Sequence, residues 1–185
     1  MIRAHPLAQL VTAGPGGLMA NPAPMQAIEA GETLFLRAHL ARANPQWREI
    51  AAGAEVLAIF EGRDFYVSPS WYATKAETHK VVPTWNYVTV QARGMARIDE
   101  SPEWLRAQVG ALTDAQEAGR AEPWAVTDAP ADFIAMQMRA IVGVEIEVTA
   151  LTGKFKLSQN RSEADRAGVR DGVGATDPAL AALLS

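Results

Sequence analysis

The fold is decided by residues 142–149, Val-Gly-Val-Glu-Ile-Glu-Val-Thr, in which every second residue is Val or Ile. Alternation with a period of two predicts a β-strand with one buried face and one face in water. Glu145 and Glu147 share the polar face, where two carboxylates at this spacing could act as an acid/base pair. We interpret them instead as the solvent-exposed face of an edge strand.

Outward from this strand, local patterns predict a mostly antiparallel sheet with helices beside it. Further strands are predicted at Gln9–Ala13, from Leu18, at Thr33–Leu40, Glu55–Phe60, Phe65–Ser68 and Asn86–Ile98. The first two form an edge hairpin, and a turn at Glu61–Asp64 separates the fourth from the fifth. Helices are predicted to begin near Pro45, Pro102, Asp132 and Glu163. The fold class is therefore α+β, with six or seven strands that are long enough to close as a barrel.

The composition limits the class of protein and its surroundings. The chain has 185 residues, of which 49% are apolar and 21% charged, and these proportions suit one soluble domain with a buried core. We predict one domain over residues 1–170 and a frayed tail over 171–185. The net charge of −4 argues against a surface built for nucleic acid. Without cysteine, and with three scattered histidines, no metal centre is predicted; with no membrane-spanning segment, we expect a cytoplasmic protein.

Aromatic and lysine residues are both unevenly distributed. Five of the eight Trp and Tyr residues lie between positions 66 and 87, and all four lysines lie in two short segments, at 75–80 and 154–156. The chain has thirteen arginines, so this placement of lysine suggests that a compact ammonium serves a phosphate or a flavin ring there. Amphipathic rings gathered at a loop suit stacking on a planar ligand or packing at an interface. A chance distribution remains the alternative.

Several motifs could bind a ligand of this kind. Residues 68–75, Ser-Pro-Ser-Trp-Tyr-Ala-Thr-Lys, combine hydroxyls, two rings and an ammonium, a mixture suited to a phosphate and a heterocycle. A solvated turn is the alternative interpretation. His39 precedes the helix that begins at Asn44-Pro45, and that helix start could receive an anion with help from Arg42. A lone histidine is more often structural, however.

Four strings closely resemble the PaiB-type FMN-binding negative transcriptional regulators. They are residues 39–47 (HLARANPQW), 68–72 (SPSWY), 80–87 (KVVPTWNY) and 156–161 (KLSQNR), which occur in the family's order, and the likeness covers roughly residues 3–170. The resemblance implies a split β-barrel related to pyridoxamine-phosphate-oxidase-like flavoproteins. It also implies a homodimer with FMN bound between the subunits, and a role in transcriptional regulation.

The resemblance also implies which residues contact the flavin. His39, Arg42 and Asn44 would line the site from the strand and helix start, and residues of the loop and of the next strand would complete it. From these segments the candidates are Ser70, Trp71, Tyr72, Lys75, Lys80, Thr84, Trp85 and Asn86, with Lys156 and Gln159 from the partner subunit. The chain departs from the family at Asn21-Pro22-Ala23-Pro24, where proline replaces a histidine.

The resulting hypothesis is a homodimeric FMN-binding protein with a regulatory or redox-sensing role. The alternative is a flavin-dependent oxidoreductase acting on a small substrate, which rests on analogy of fold. Direct DNA binding is a weaker hypothesis, because no DNA-reading motif is present and the net charge is negative. Haem binding, with His39 or His79 as the iron ligand, is a further alternative.

Overall fold

The structure is a computed structural model that describes residues 1–184. Seven strands form one sheet in the order β2-β1-β5-β6-β7-β4-β3. The strands are β1 (Leu7–Gly14), β2 (Gly17–Pro24), β3 (Gln26–Ala30), β4 (Thr33–Ala41), β5 (Glu55–Val67), β6 (Thr84–Asp99) and β7 (Ile141–Lys156). The helices are α1 (Gln46–Ala51), α2 (Thr74–Thr78), α3 (Pro102–Glu117), α4 (Ala131–Arg139), α5 (Glu163–Gly174) and α6 (Pro178–Ala181).

Local sequence signals account for most of these elements. The β1–β2 hairpin lies at the sheet edge as predicted, with Leu7 opposite Pro24 and Gly14 opposite Gly17. Helix α1 begins where Asn44 accepts a hydrogen bond from the Gln46 amide (3.0 Å), and α5 begins where the Ser162 hydroxyl accepts one from the Asp165 amide (3.2 Å). These side chains satisfy amide groups that have no partner within the helix.

Strand β5 continues through the segment for which a turn was predicted. Residues 61–64, Glu-Gly-Arg-Asp, lie within β5, so the predicted break between two strands is wrong. Turn propensity was outweighed by strand pairing, since β5 lies between β1 and β6 in the sheet. Strand β3, which pairs with β4 from Gln26 opposite Arg37, was not predicted.

Strand β7 lies inside the sheet rather than at its edge, and both of its faces are covered over residues 142–146. The prediction of a solvent-exposed polar face is therefore wrong for Glu145, which is 5% exposed, although Glu147 is exposed. Helix α3 covers this face, because the Trp104 ring packs on Gly143, where a Cβ would lie 2.6 Å from Trp104 Cε3. A tryptophan elsewhere in the sequence thus buries the polar face.

The chain divides into two compact units. Unit 1 contains residues Met1–Phe60 and Gln91–Thr152, and unit 2 contains Glu61–Val90 and the residues from Gly153 onward. In unit 1, Ile134 and Met138 of α4, four residues apart and so on one face of the helix, pack with Leu105. The core of unit 2 consists of Phe65, Val67, Tyr72, Val169, Val173, Leu180 and Leu184.

The C-terminal segment differs from the expectation of a frayed tail. Up to Leu184 it contains the end of α5, helix α6 and a 3₁₀ turn at Ala182–Leu184; Ser185 lies outside the described residues. Leu180 and Leu184 are buried in the core of unit 2, and Asp177 caps α6 by accepting hydrogen bonds from two amides. Small residues are frequent in this segment, but Leu180 and Leu184 are four residues apart and both side chains point into the same core. No helix in residues 1–184 is long and apolar enough to cross a membrane.

Candidate functional site

All four lysines lie in unit 2, and their surroundings differ from those of the arginines. Within residues 1–184, seven of the thirteen arginines form ion pairs with carboxylates. In the described part of the chain, no lysine has a carboxylate within 4.0 Å; Lys75 and Lys156 each donate to a hydroxyl instead. A cation held by a neutral hydroxyl keeps its charge available for an anion from outside the protein.

The first of these pairs joins Ser70 and Lys75. Lys75 Nζ donates to Ser70 Oγ at 3.0 Å, and both residues are exposed. Ser70 lies in a 3₁₀ turn capped by Ser68, whose Oγ accepts from the Ser70 amide (3.2 Å), and Lys75 lies in the first turn of α2. The backbone of residues 68–75 thus brings together two predicted site residues.

The rings between these two residues pack inward. Tyr72 is 3% exposed, with the Arg161 guanidinium 4.6 Å from its ring centroid, and its buried hydroxyl has no hydrogen-bond partner within residues 1–184. Trp71 is half-buried against α5, where its backbone and indole occupy the space beside Gly168 and Gly172. This differs from the expectation that both rings stack on a ligand, because an apolar ring gains more from the core than from a solvated loop.

Thr74 and Asp165 fix the same segment to α5. Asp165 is 3% exposed, and its Oδ1 accepts from the Thr74 amide and hydroxyl, both at 2.9 Å. The bond from the Thr74 amide is the largest influence that lowers the pKa of Asp165, with further lowering from the Thr74 hydroxyl, Arg161 and Ser162, against the opposing effect of burial. Asp165 is thus a buried anion whose charge is satisfied by hydrogen bonds.

A second pair joins β6 and β7 within unit 2. Lys156 Nζ donates to Thr84 Oγ1 at 2.5 Å and lies 5.8 Å from the centroid of the Tyr87 ring. Asn86, which is 1% exposed, donates to Ser158 Oγ at 3.0 Å. Ser158 adopts a left-handed conformation (φ 64°), uncommon for a residue other than glycine, as the chain leaves β7.

The remaining predicted residues of unit 2 have other surroundings. The Gln159 side chain closes the turn after β7, since its Oε1 accepts from the Leu157 amide (2.8 Å) and its Nε2 donates to the Phe155 carbonyl (2.6 Å). Trp85 is 54% exposed and packs edge-on against Tyr66 at 5.9 Å between centroids. Lys80 is exposed.

In unit 1, Arg42 and Asn44 serve the local fold. The Arg42 guanidinium donates to the carbonyls of Arg139 (2.9 Å) and Ile141 (3.1 Å) and forms an ion pair with Glu100. Asn44 Oδ1 accepts a hydrogen bond from the amide of Gln46, the first residue of α1. Both groups are therefore engaged by the protein itself, and their contact with a flavin stays a prediction.

His39 is half-buried on β4, where its Nδ1 is 2.8 Å from Gln108 Oε1 of α3. Gln108 is 3% exposed, and its Nε2 has no hydrogen-bond partner in the described residues. Gln108, Thr74, Ser158 and Asp165 were not among the predicted site residues. Thr74 lay within the 68–75 motif and Ser158 within the string 156–161, but neither was chosen individually. Asp165 lies at the predicted start of the last helix, and that signal concerned its own helix rather than the loop it contacts.

Comparison with known proteins gives the family. The family model described as "Putative FMN-binding domain" matches residues 1–150. The chain is 32% identical over 156 residues to the protease synthase and sporulation protein PAI 2 of Bacillus subtilis, covering 84% of this chain and 72% of that protein. The chain belongs to the PaiB-type FMN-binding family. It is also 36% identical over 163 residues to an uncharacterized protein of Emericella nidulans, covering 74% of this chain but only 65% of that relative.

A solved structure agrees with this membership at the level of fold. The FAD and haem binding protein of Mycobacterium smegmatis matches with a TM-score of 0.61 at 19% identity, over 90% of this chain and 73% of that one. The fold is thus an α+β split barrel, as expected.

The cofactor of this PaiB-type chain is FMN. The lysines of unit 2 fit that group, because FMN carries a phosphate dianion and two of these ammonium groups are held on hydroxyls without a neutralising carboxylate in residues 1–184. Ser70 would add a hydroxyl donor to such an anion, and Thr84 would offer one to a polar atom of the ring.

Proposed function

We propose that this chain is a homodimeric FMN-binding protein with a regulatory or redox-sensing role. Ser70 and Lys75 bind the phosphate of FMN, and Thr84 and Lys156 hold the polar edge of the flavin ring. The observation that carries this proposal is the pair of lysines that donate to hydroxyls and have no carboxylate partner among the described residues.

The two pairs differ in ways that support different roles. Ser70 and Lys75 are both exposed, so a doubly charged phosphate could bind them and remain partly hydrated. Lys156 and Thr84 are half-buried, and the Tyr87 ring lies beside the Lys156 ammonium. A cation in such a setting suits a planar ring on which negative charge develops.

FMN supplies reversible electron transfer when it is bound. The chain's own residues would retain and orient it: Lys75 neutralises the phosphate, the Ser70 hydroxyl donates to a phosphate oxygen, and Lys156 presents positive charge to the ring edge. Trp85, exposed on β6, offers an aromatic face in the same unit.

The homodimer is part of the proposal because unit 2 exposes several large apolar side chains. Trp85, Phe155 and Tyr66 are 54%, 53% and 46% exposed. Aromatic side chains are enriched at protein interfaces, and we propose that a second copy of this chain covers these three. Analytical ultracentrifugation should give the mass of a dimer; a monomer with FMN fully bound would contradict this part of the proposal.

The two lysine assignments predict different ligand selectivities. Riboflavin is FMN without the phosphate, so K75A should weaken FMN binding about tenfold and leave riboflavin binding unchanged. K156A should weaken both ligands by a similar factor, since both contain the ring. Fluorescence titration of each ligand measures these affinities, and K154A, which changes another exposed lysine of unit 2, is the control.

Equal losses for FMN and riboflavin in K75A would contradict the phosphate assignment.

The regulatory role is tested separately. Stopped-flow mixing with NAD(P)H should reduce the bound flavin no faster than free FMN, whereas rapid reduction with turnover of a small substrate would favour the oxidoreductase alternative. A promoter-binding assay across salt concentrations then determines whether regulation involves DNA directly.

A further inference from the structure

Helix α5 lies outside residues 1–150, the part of the chain that matches the FMN-binding family model. It nevertheless packs on residues 68–75, the segment that carries the Ser70–Lys75 pair. The Trp71 carbonyl occupies the space where Gly168 would have a Cβ, and the Trp71 indole lies against Gly172, one helical turn further on. Glycine at both positions lets the helix backbone approach the loop more closely than any other residue would.

Asp165 completes this contact one turn before Gly168. Its carboxylate accepts two bonds from Thr74, at 2.9 Å from the amide to Oδ1 and at 2.8 Å from the hydroxyl to Oδ2, in addition to the contact of that hydroxyl with Oδ1. Thr74 directly precedes Lys75. The Lys75 amide in turn donates to the Tyr72 carbonyl at 3.1 Å. The backbone from Tyr72 to Lys75 is therefore held by this internal hydrogen bond and by the bonds from Thr74 to Asp165.

We infer that Asp165 is a positioning residue that holds Ser70 and Lys75 in the arrangement that binds phosphate. The inference rests on the phosphate assignment proposed above. Ser70 and Lys75 are both exposed, and within residues 1–184 their side chains hydrogen-bond to each other and to no other residue. Their relative placement therefore depends on the four residues between them, which α5 anchors through Trp71 and Thr74.

This role differs from simple stabilisation of α5. The Ser162 hydroxyl already accepts from the Asp165 amide at the start of the helix, so capping uses the backbone of Asp165 and leaves its carboxylate for Thr74. The hydrogen bonds that the carboxylate accepts at 2.8–2.9 Å come from Thr74 of the loop, whereas Ser162 and Arg161, at the start of its own helix, make smaller contributions to the lowering of its pKa. A change in the carboxylate should therefore alter the geometry of residues 70–75 more than the helix itself.

The test compares FMN with riboflavin in D165N. Asparagine keeps the shape but removes the charge, so the two bonds from Thr74 weaken. We expect FMN affinity to fall about tenfold with riboflavin affinity unchanged. D177N is the matched control, because Asp177 caps α6 in the same unit through its side chain; its ratio of FMN to riboflavin affinity should equal that of the wild type.

A second variant keeps the test decisive if D165N does not fold. T74V removes the hydroxyl donor but keeps the amide bond to Asp165, so it should reduce FMN affinity by a smaller factor in the same phosphate-dependent way. Equal losses for the two ligands, or no loss in a folded variant while K75A loses FMN affinity, would overturn the inference. If K75A itself shows no phosphate-dependent loss, the proposed phosphate site fails instead.

Discussion

The buried carboxylate of Glu145 should contribute measurably to the stability of unit 1. It accepts hydrogen bonds from Arg37 Nε (2.5 Å) and from Arg97 Nε (3.0 Å) and Nη2 (2.7 Å). Its bond with Arg97 is also the main reason that the pKa of Arg97 is raised. E145Q keeps the size of the side chain and removes the charge that both guanidinium groups face.

The size of the effect follows from the exposure of the partners. Hydrogen bonds to charged groups contribute about 1.5–3 kcal/mol each when they are buried. The side chains of Arg37 and Arg97 are 37% and 58% exposed, so both remain hydrated after the substitution, and exposed pairs contribute at most about 1 kcal/mol. Two arginine partners then give a loss of about 2 kcal/mol in the free energy of unfolding.

Urea denaturation of E145Q and E147Q measures this difference. Glu147 lies two residues further along β7 and is exposed, so E147Q should change the free energy of unfolding by less than about 0.5 kcal/mol. If the two variants unfold at the same urea concentration with the same slope, Glu145 does not act as a buried charge and the reasoning is refuted.

Two further predictions concern packing and pH. G143A should lower the free energy of unfolding by about 1–3 kcal/mol, since its Cβ would lie 2.6 Å from Trp104 Cε3 and 2.7 Å from the Asp99 carbonyl oxygen. G110A in α3, with open space around it, should raise the free energy of unfolding by about 0.5–1 kcal/mol. Thermal unfolding should therefore show a lower melting temperature for G143A and a higher one for G110A than for the wild type. The pKa of Asp165 lies below its ordinary value of 3.8, so its stabilisation is complete above that value and is lost as the pH falls through the lower folded-state pKa. The difference in melting temperature between wild type and D165N should therefore be largest near neutral pH and shrink in acid; a difference that grows in acid would contradict the sign.

Elements with strong local signals were predictable from the sequence. The helix starts predicted near Pro45 and Pro102 agree with the starts of α1 and α3, since the signals for a helix start depend on residues only a few positions apart. The continuity of β5 was not predictable, because a Gly-Arg-Asp segment is a turn in most settings and is extended here by strand pairing.

The candidate site was predictable in part. The confinement of lysine to two segments pointed to Lys75 and Lys156, and the structure places each beside a hydroxyl that was also a predicted site residue. Tyr72 and Trp85 both lie in the aromatic segment and both were implied by the family resemblance, but only Trp85 is exposed. That several aromatic residues lie close together in the sequence does not indicate which of their rings will be buried in the core.

By itself, the amino-acid sequence determined the period-two strand, the helix starts, the clustering of lysine and membership of an FMN-binding family. Only the tertiary structure decided that Glu145 is buried and that Asp165 holds Thr74. The physical reason is distance along the chain: the partners are separated by 108 residues for Arg37 and Glu145 and by 91 for Thr74 and Asp165. Periodicity and capping act over a few residues, whereas these contacts depend on strand register and on where a helix packs.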